Sequence, residues 1–262
     1  MRRILNLQIA LGLLLLLLIL PGRPGPVSAA EPVTVRAGLS SEPEVALTFD
    51  DGPSPLYTPQ ILELLAQYRA HATFFVLGCK VEKYPWLIKE MLRRGHEVGN
   101  HSFSHPHLPE TGQAAREREL ETTRLDLDLL GCPCQHKLIR PPYSAFDARL
   151  VAYAAHTGRQ VILGNIDSGD WRGLDAGTIV QNVLTRVRNG AIIYFHDSDE
   201  NDRQDRTPTV EALRTILPVL NYRGYRLVTV DEVLTANTAE PGSSPRKSAG
   251  LAHPAVTPEP AN

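Results

Sequence analysis

Cysteine is scarce in this chain, with three in 262 residues, at Cys79, Cys132 and Cys134. In an exported protein an odd number leaves at least one thiol without an internal partner. Cys132 and Cys134 are too close for an easy disulfide. A zinc pair has two intervening residues and calls for a second pair, which is absent. The three read as small residues near loops. An excess of one charge is missing too. The net charge is −2 with both signs interspersed, which excludes the basic footprint that nucleic-acid binding needs. The N-terminal apolar run, Ile9 to Leu20, spans twelve residues, short of the about 20 that cross a bilayer.

That run follows Arg2 and Arg3 and precedes the small residues Val27-Ser28-Ala29. A basic start, a short apolar core and a small-residue site make a secretory signal peptide, cleaved after Ala29 or Ala30. Extending the run back to Ile4 would allow an uncleaved anchor instead, the one route by which this chain would contact a membrane. No cysteine follows to carry a lipid. The chain is therefore expected to be secreted or extracytoplasmic. At the other end, residues 236–262 hold five prolines and no aromatics. Such a segment buries too little to offset its ordering entropy and reads as a disordered tail.

Residues 31–235 read as one domain, in a chain whose overall composition, 42% hydrophobic and 21% charged, is ordinary for a globular protein. β-rich runs at 45–49, 73–77, 96–99, 137–140, 160–166, 191–195 and 226–230 alternate with helical patterns at 59–69, 84–93, 113–130, 147–156, 176–188 and 209–222. Ile61, Leu62, Leu64, Leu65 and Tyr68 recur as an apolar helix face. About seven strands alternating with helices predict an α/β fold with a parallel sheet.

The polar clusters fall in one kind of place. Asp50-Asp51-Gly52 follows the first strand, His101 and His105 the third, and Arg140-Pro141-Pro142-Tyr143 the fourth. Asp167, Asp170 and Trp171 follow the fifth, and His196-Asp197 the sixth. In a parallel barrel the C-terminal strand ends converge on one face, where active sites are built. Each cluster also has a plainer reading, since Asp-Asp-Gly-Pro is good turn chemistry by itself. His101 and His105, four apart, would face the same way on one helical turn. With one carboxylate they form a set suited to a divalent metal with open positions. His96-Glu97 through His101 looks like a zinc-protease helix motif, but it has one residue too many, and Gly95 and Gly99 discourage a helix. His96 and Glu97 read as structural.

Thr48-Phe-Asp-Asp-Gly52, His101-Ser-Phe-Ser-His105, Arg140-Pro-Pro-Tyr143, Asp167-Ser-Gly-Asp-Trp171 and Tyr194-Phe-His196 resemble, in order, the five motifs of the polysaccharide deacetylase family, the NodB-homology group of carbohydrate esterase family 4. The resemblance spans roughly residues 44–234. It implies a distorted (β/α) barrel, one divalent metal ion (zinc first, with cobalt, manganese or nickel open) and hydrolysis of N-acetyl groups on an acetylated glycan. Peptidoglycan is the first expectation and chitin oligosaccharides the next, with the protein acting as a monomer. By position, Asp51, His101 and His105 match the metal ligands. Asp50 matches the general base, Arg140 the residue that orients it, His196 the acid and Asp170 the residue that tunes the acid. Tyr143 matches the donor of an oxyanion-hole N–H, Trp171 a wall of the substrate pocket and Tyr194 a residue shaping the acetate pocket. Two positions depart from the family pattern: Tyr194 stands where Leu is usual and Ser144 where Gly is common. An O-acetyl xylan esterase of the same fold and a non-catalytic, metal-bearing glycan-binding protein are the competing readings. An iron oxygenase fits poorly, since its usual scaffold is all-β.

Overall fold

The computed structural model describes residues 34–35, 42–132 and 137–235. The expected signal segment, Cys134 and the Pro-rich C-terminal residues 236–262 lie outside them. The strands are β1 (Thr34–Val35), β2 (Glu44–Gly52), β3 (Thr73–Val76), β4 (Glu97–Asn100), β5 (Leu138–Ile139), β6 (Gln160–Ile162), β7 (Ile166–Asp167), β8 (Ala191–His196) and β9 (Arg226–Val228). The α-helices are α1 (Thr58–Gln67), α2 (Gly78–Lys83), α3 (Pro85–Arg93), α4 (Gln113–Leu129), α5 (Ala148–His156), α6 (Ala176–Leu184), α7 (Thr207–Tyr222) and α8 (Val230–Thr235).

Each paired strand runs parallel to its neighbours, in the order β1-β6-β5-β4-β3-β2-β8-β7, with β9 on β2. The expected fifth strand is two. β6 pairs with β5, and three residues later β7 pairs with β8. One chain run thus touches both sides of the sheet and curls it into the expected distorted barrel. The break falls at Gly164-Asn165, where the Asn165 side chain accepts the Ile192 N–H at 3.0 Å in place of a backbone partner. α2 and α8, six residues each, carry too short a period to be read from sequence.

Strand periodicity sorts the side chains into two layers. Val45, Leu47 and Phe49 of β2 join Phe74, Val76, Ile193 and Phe195 in a core between sheet and helices. There Phe49 stacks on Phe74 and Phe195 with ring centroids 5.0 and 5.7 Å apart, each pair contributing about 0.5–1.5 kcal/mol beyond area burial. The alternate residues Ala46, Phe75, Leu138, Ile162, Ile192 and Val228 form a second, interior cluster. Gly99 is required there, because a Cβ would stand 2.6 Å from the Phe75 ring. Continuing the interior register two or four residues toward the strand ends reaches Thr48, Asp50, Arg140, Tyr194 and His196. The α5 and α6 starts are secured by Asp147 and Asp175, whose carboxylates accept Leu150 N–H at 2.9 Å and Thr178 N–H at 3.0 Å. Each such cap is worth about 1 kcal/mol.

Candidate active site

All five clusters meet around one cavity of about 740 Å³ at the C-terminal strand ends. Asp50 and Asp51 come from the last residues of β2. Asp51 takes a left-handed backbone, φ 69°, a conformation rare outside glycine, which breaks the strand alternation at a bulge and lets both carboxylates line the cavity. Ser102 and His105, at φ 70° and 64°, and Tyr143 and Ser144, at φ 58° and 54°, share it. Strain of this kind collects where function over-determines the chain.

Asp51, His101 and His105 are buried and offer ligand atoms within 4.8 Å of one another. The helical turn expected for the two histidines is not there. Residues 101–107 form a loop, in which Asn100 Oδ1 accepts Ser102 N–H at 2.8 Å and Ser102 Oγ accepts His105 N–H at 3.2 Å. The left-handed turns, not a helix, bring the rings to 5.2 Å between centroids.

The donor set fits a cation. His101 Nδ1–H donates to the Arg140 carbonyl at 2.7 Å, which orients the ring and turns Nε2 toward Asp51. That Nε2 lies 3.2 Å from Asp51 Oδ1, and His105 Nε2 lies 3.1 Å from the same oxygen. Asp51 Oδ1 is buried and satisfied by no hydrogen bond. Burial alone would raise its pKa, yet the two histidines hold it well below the ordinary carboxylate range. A buried acceptor facing two ring nitrogens is the arrangement a divalent ion completes. Glu200 Oε2 approaches His105 Nδ1 to 3.0 Å, where a carboxylate would orient a ligand ring.

Asp50 is held separately. Arg140, 1% exposed, donates from Nη1 to Asp50 Oδ1 at 2.7 Å and to Thr48 Oγ1 at 2.6 Å. The Thr48 hydroxyl in turn donates a hydrogen bond to the Ile193 carbonyl at 2.7 Å.

Across the cavity stands His196. Asp170 Oδ1 lies 2.8 Å from its Nδ1, and Oδ2 accepts its backbone N–H at 2.8 Å. Burial pulls the His196 pKa down. The Asp170 charge and hydrogen bond overcome that and place it at about 9, so the ring is protonated at neutral pH. Thr209 Oγ1 donates to Asp170 Oδ2 at 3.0 Å and Arg206 Nη1 to the Asp170 carbonyl at 3.2 Å.

Tyr143, Trp171 and Tyr194 line the cavity. Tyr143 is 62% and Trp171 48% exposed, and the Tyr143 ring meets His105 edge-on at 4.6 Å. Asp167 closes the turn before Asp170, accepting Gly169 N–H at 2.8 Å. Asp197 turns away from the cavity to accept the Thr58 hydroxyl. His96 and Glu97 are buried at the far end of β4, consistent with a structural role.

Sequence reasoning missed the rim. Asp199, Glu200, Asn201, Arg203, Gln204 and Arg206 line the mouth. Buried Lys80 holds this loop, its Nζ lying 2.6 Å from both Ser198 Oγ and Asp202 Oδ1, and Arg206 Nε donates to Ser198 O at 2.8 Å. A polar run after a strand carries no periodic signal by which such contacts could be found.

The fold and site define an α/β-barrel protein in which a buried Asp-His-His trio that could hold a cation lies between a carboxylate held by Arg140 and an imidazole held by Asp170. The family model described as polysaccharide deacetylase matches residues 38–162. The chain is 38% identical over 198 residues to a peptidoglycan-N-acetylglucosamine deacetylase of Bacillus cereus, covering 74% of this chain and 90% of the relative. It is 40% identical over 202 residues to a chitooligosaccharide deacetylase of Sinorhizobium fredii, covering 73% and 92%. A crystal structure of a peptidoglycan N-acetylglucosamine deacetylase in complex with 4-naphthalen-1-yl-N-oxidanyl-benzamide superposes with a TM-score of 0.73 at 34% identity, over 77% of this chain and 92% of that one. The chain belongs to the polysaccharide deacetylase family.

Proposed function

We propose that this protein hydrolyses N-acetyl groups of a polysaccharide, peptidoglycan first and chitin oligosaccharides next, releasing acetate and leaving a free amino sugar. The observation that carries this reading is the presence, in one cavity, of a cation-ready trio flanked by a base and an acid, each fixed by its own partner.

Asp51, His101 and His105 would hold one divalent ion. Two imidazoles and a carboxylate favour zinc, with cobalt, manganese and nickel also accommodated. When bound, such an ion supplies a Lewis acid toward the acetamide carbonyl and acidifies water beside it. Asp50, held by Arg140, takes the proton of the attacking water as its oxygen bonds to the carbonyl carbon. The Tyr143 backbone N–H is assigned to the developing oxyanion. As the C–N bond breaks, the nitrogen needs a proton, and His196 has one to give at neutral pH because Asp170 keeps it charged. Trp171 and Tyr143 offer exposed ring faces to a sugar. Action outside the cytoplasm, on the cell wall, follows from the N-terminal signal pattern, with residues 31–235 as the catalytic domain.

Acetate release would be assayed on peptidoglycan, N-acetylated chitooligosaccharides and acetylated xylan, with metal content measured on the same sample. Release from the N-acetylated glycans supports the proposal. Release from xylan alone would make the protein an O-acetyl esterase, and no release with any metal would leave a glycan-binding protein.

A further inference from the structure

Arg140 is placed by more than its hydrogen bonds. Its Nη1 serves both Thr48 and Asp50, its Nε reaches the Ile162 carbonyl only at 3.4 Å, and its Nη2 is buried with no partner. A guanidinium fastened chiefly at one nitrogen can swing about that point, and its bare edge draws water. Two aromatic rings oppose both. The guanidinium carbon lies 4.0 Å from the Phe75 ring centroid and 4.4 Å from that of Tyr194. Both rings project into the barrel interior, from β3 and β8. At these distances the two rings favour the cation electrostatically and restrict its plane.

Phe75 belongs to the closed interior core. Tyr194 is the member that faces the cavity, and it is wedged in place. A Cβ on Gly164 would stand 2.4 Å from the ring's Cε2, so the chain has left room for the ring there and for little else. Its hydroxyl lies 3.2 Å from Ser144 Oγ, four residues beyond Arg140 in the same segment. The two departures from the family pattern, Tyr194 and Ser144, are therefore one contact.

We propose that Tyr194, tethered by Ser144, is a positioning residue that clamps Arg140 against Phe75 and thereby holds Asp50 in line for proton abstraction. It acts through Arg140 rather than by gripping the sugar. This rests on the deacetylase reading for its kinetic consequence only.

The test compares Tyr194→Leu, Tyr194→Phe and Ser144→Ala with the wild type, in two readouts. With zinc-loaded enzyme and N-acetylated chitooligosaccharide, Tyr194→Leu is expected to lower kcat about tenfold or more while KM moves less than about twofold. Tyr194→Phe, which keeps the ring, recovers most of the loss. In the metal-free protein without substrate, the Arg140 Nε–H resonance, assigned with Arg140→Lys, is expected to be ring-current shifted and slow to exchange with solvent. It shifts and exchanges faster in Tyr194→Leu, with Tyr194→Phe and Ser144→Ala intermediate because they lose only the tether.

An unchanged Arg140 signal in Tyr194→Leu overturns the proposal. So does a rise in KM at constant kcat, which would make Tyr194 a substrate wall. Should Tyr194→Leu fail to fold, an Arg140 signal unchanged in both tether variants overturns it as well. Absence of acetate from the wild type itself would remove the deacetylase reading, yet the resonance would still decide whether Tyr194 clamps Arg140.

Discussion

Asp170 grips His196 at two points: one carboxylate oxygen lies 2.8 Å from the ring Nδ1 and the other accepts the backbone N–H at 2.8 Å. The same carboxylate therefore sets the ring's orientation and its charge. Asp170→Asn removes the nearest charge and leaves burial opposed only by the charges of Asp51 and Asp50, so the His196 pKa is expected to fall well below about 9. The acid would then lose protonation toward neutral pH, and kcat should drop about 10²–10⁴-fold, the usual worth of a general acid. An NMR titration of the His196 imidazole with a kcat–pH profile checks this. A variant whose His196 still titrates near 9 contradicts the assignment.

Asp50 and Asp51 are adjacent in sequence and separate in function. Asp50→Asn is expected to abolish turnover while zinc still binds, because Asp50 faces Arg140 and not the two histidines. Calorimetric zinc titration beside acetate release checks both halves, and retained turnover would remove Asp50 as base.

The cation trio predicts a thermal signature. Zinc added at about 100 times its Kd should stabilise the folded protein by about 2.7 kcal/mol. Asp51→Asn and His101→Ala should lose the accompanying rise in Tm, read by scanning calorimetry. A full rise in Asp51→Asn would mean that the ion binds elsewhere.

Glu97 makes stability depend on pH far from the cavity. Burial raises its pKa from 4.5 to about 7, against the opposing hydrogen bonds of Thr73 and the Asp231 N–H. A folded value above the unfolded one means that the folded state holds the extra proton, so this contribution is full below about 4.5 and lost as pH rises through about 7. Buried His96, lowered to about 4 by desolvation, works the other way, so the difference between variants is the measure. Glu97→Gln should gain on the wild type from pH 4.5 to 7, by up to ~3 kcal/mol. Urea unfolding across that range tests it, and parallel stability curves would rule it out.

Much of this site was legible because strand ends are legible. Val45-Ala-Leu-Thr-Phe49 alternates two buried layers, and the polar residues after it are at the barrel mouth whatever else the chain does. The histidine pair was legible by spacing and not by conformation, since its geometry comes from left-handed residues that ordinary propensity does not anticipate. The break between β6 and β7 escaped notice because Gln160–Ile166 is continuously strand-like. Its division depends on which neighbour each half meets.

The amino-acid sequence by itself determined the alternation of the main strands and the longer helices and the residue types at the strand ends, because these follow from local propensity and period. Tertiary structure alone decided which of those residues face one another. It put Glu200 beside His105 across 95 positions. It also closed Phe75 and Tyr194 over Arg140 and joined Thr209 to Asp170. Those contacts arise when strands distant in the chain curl around one interior, and no local pattern encodes a distance between them.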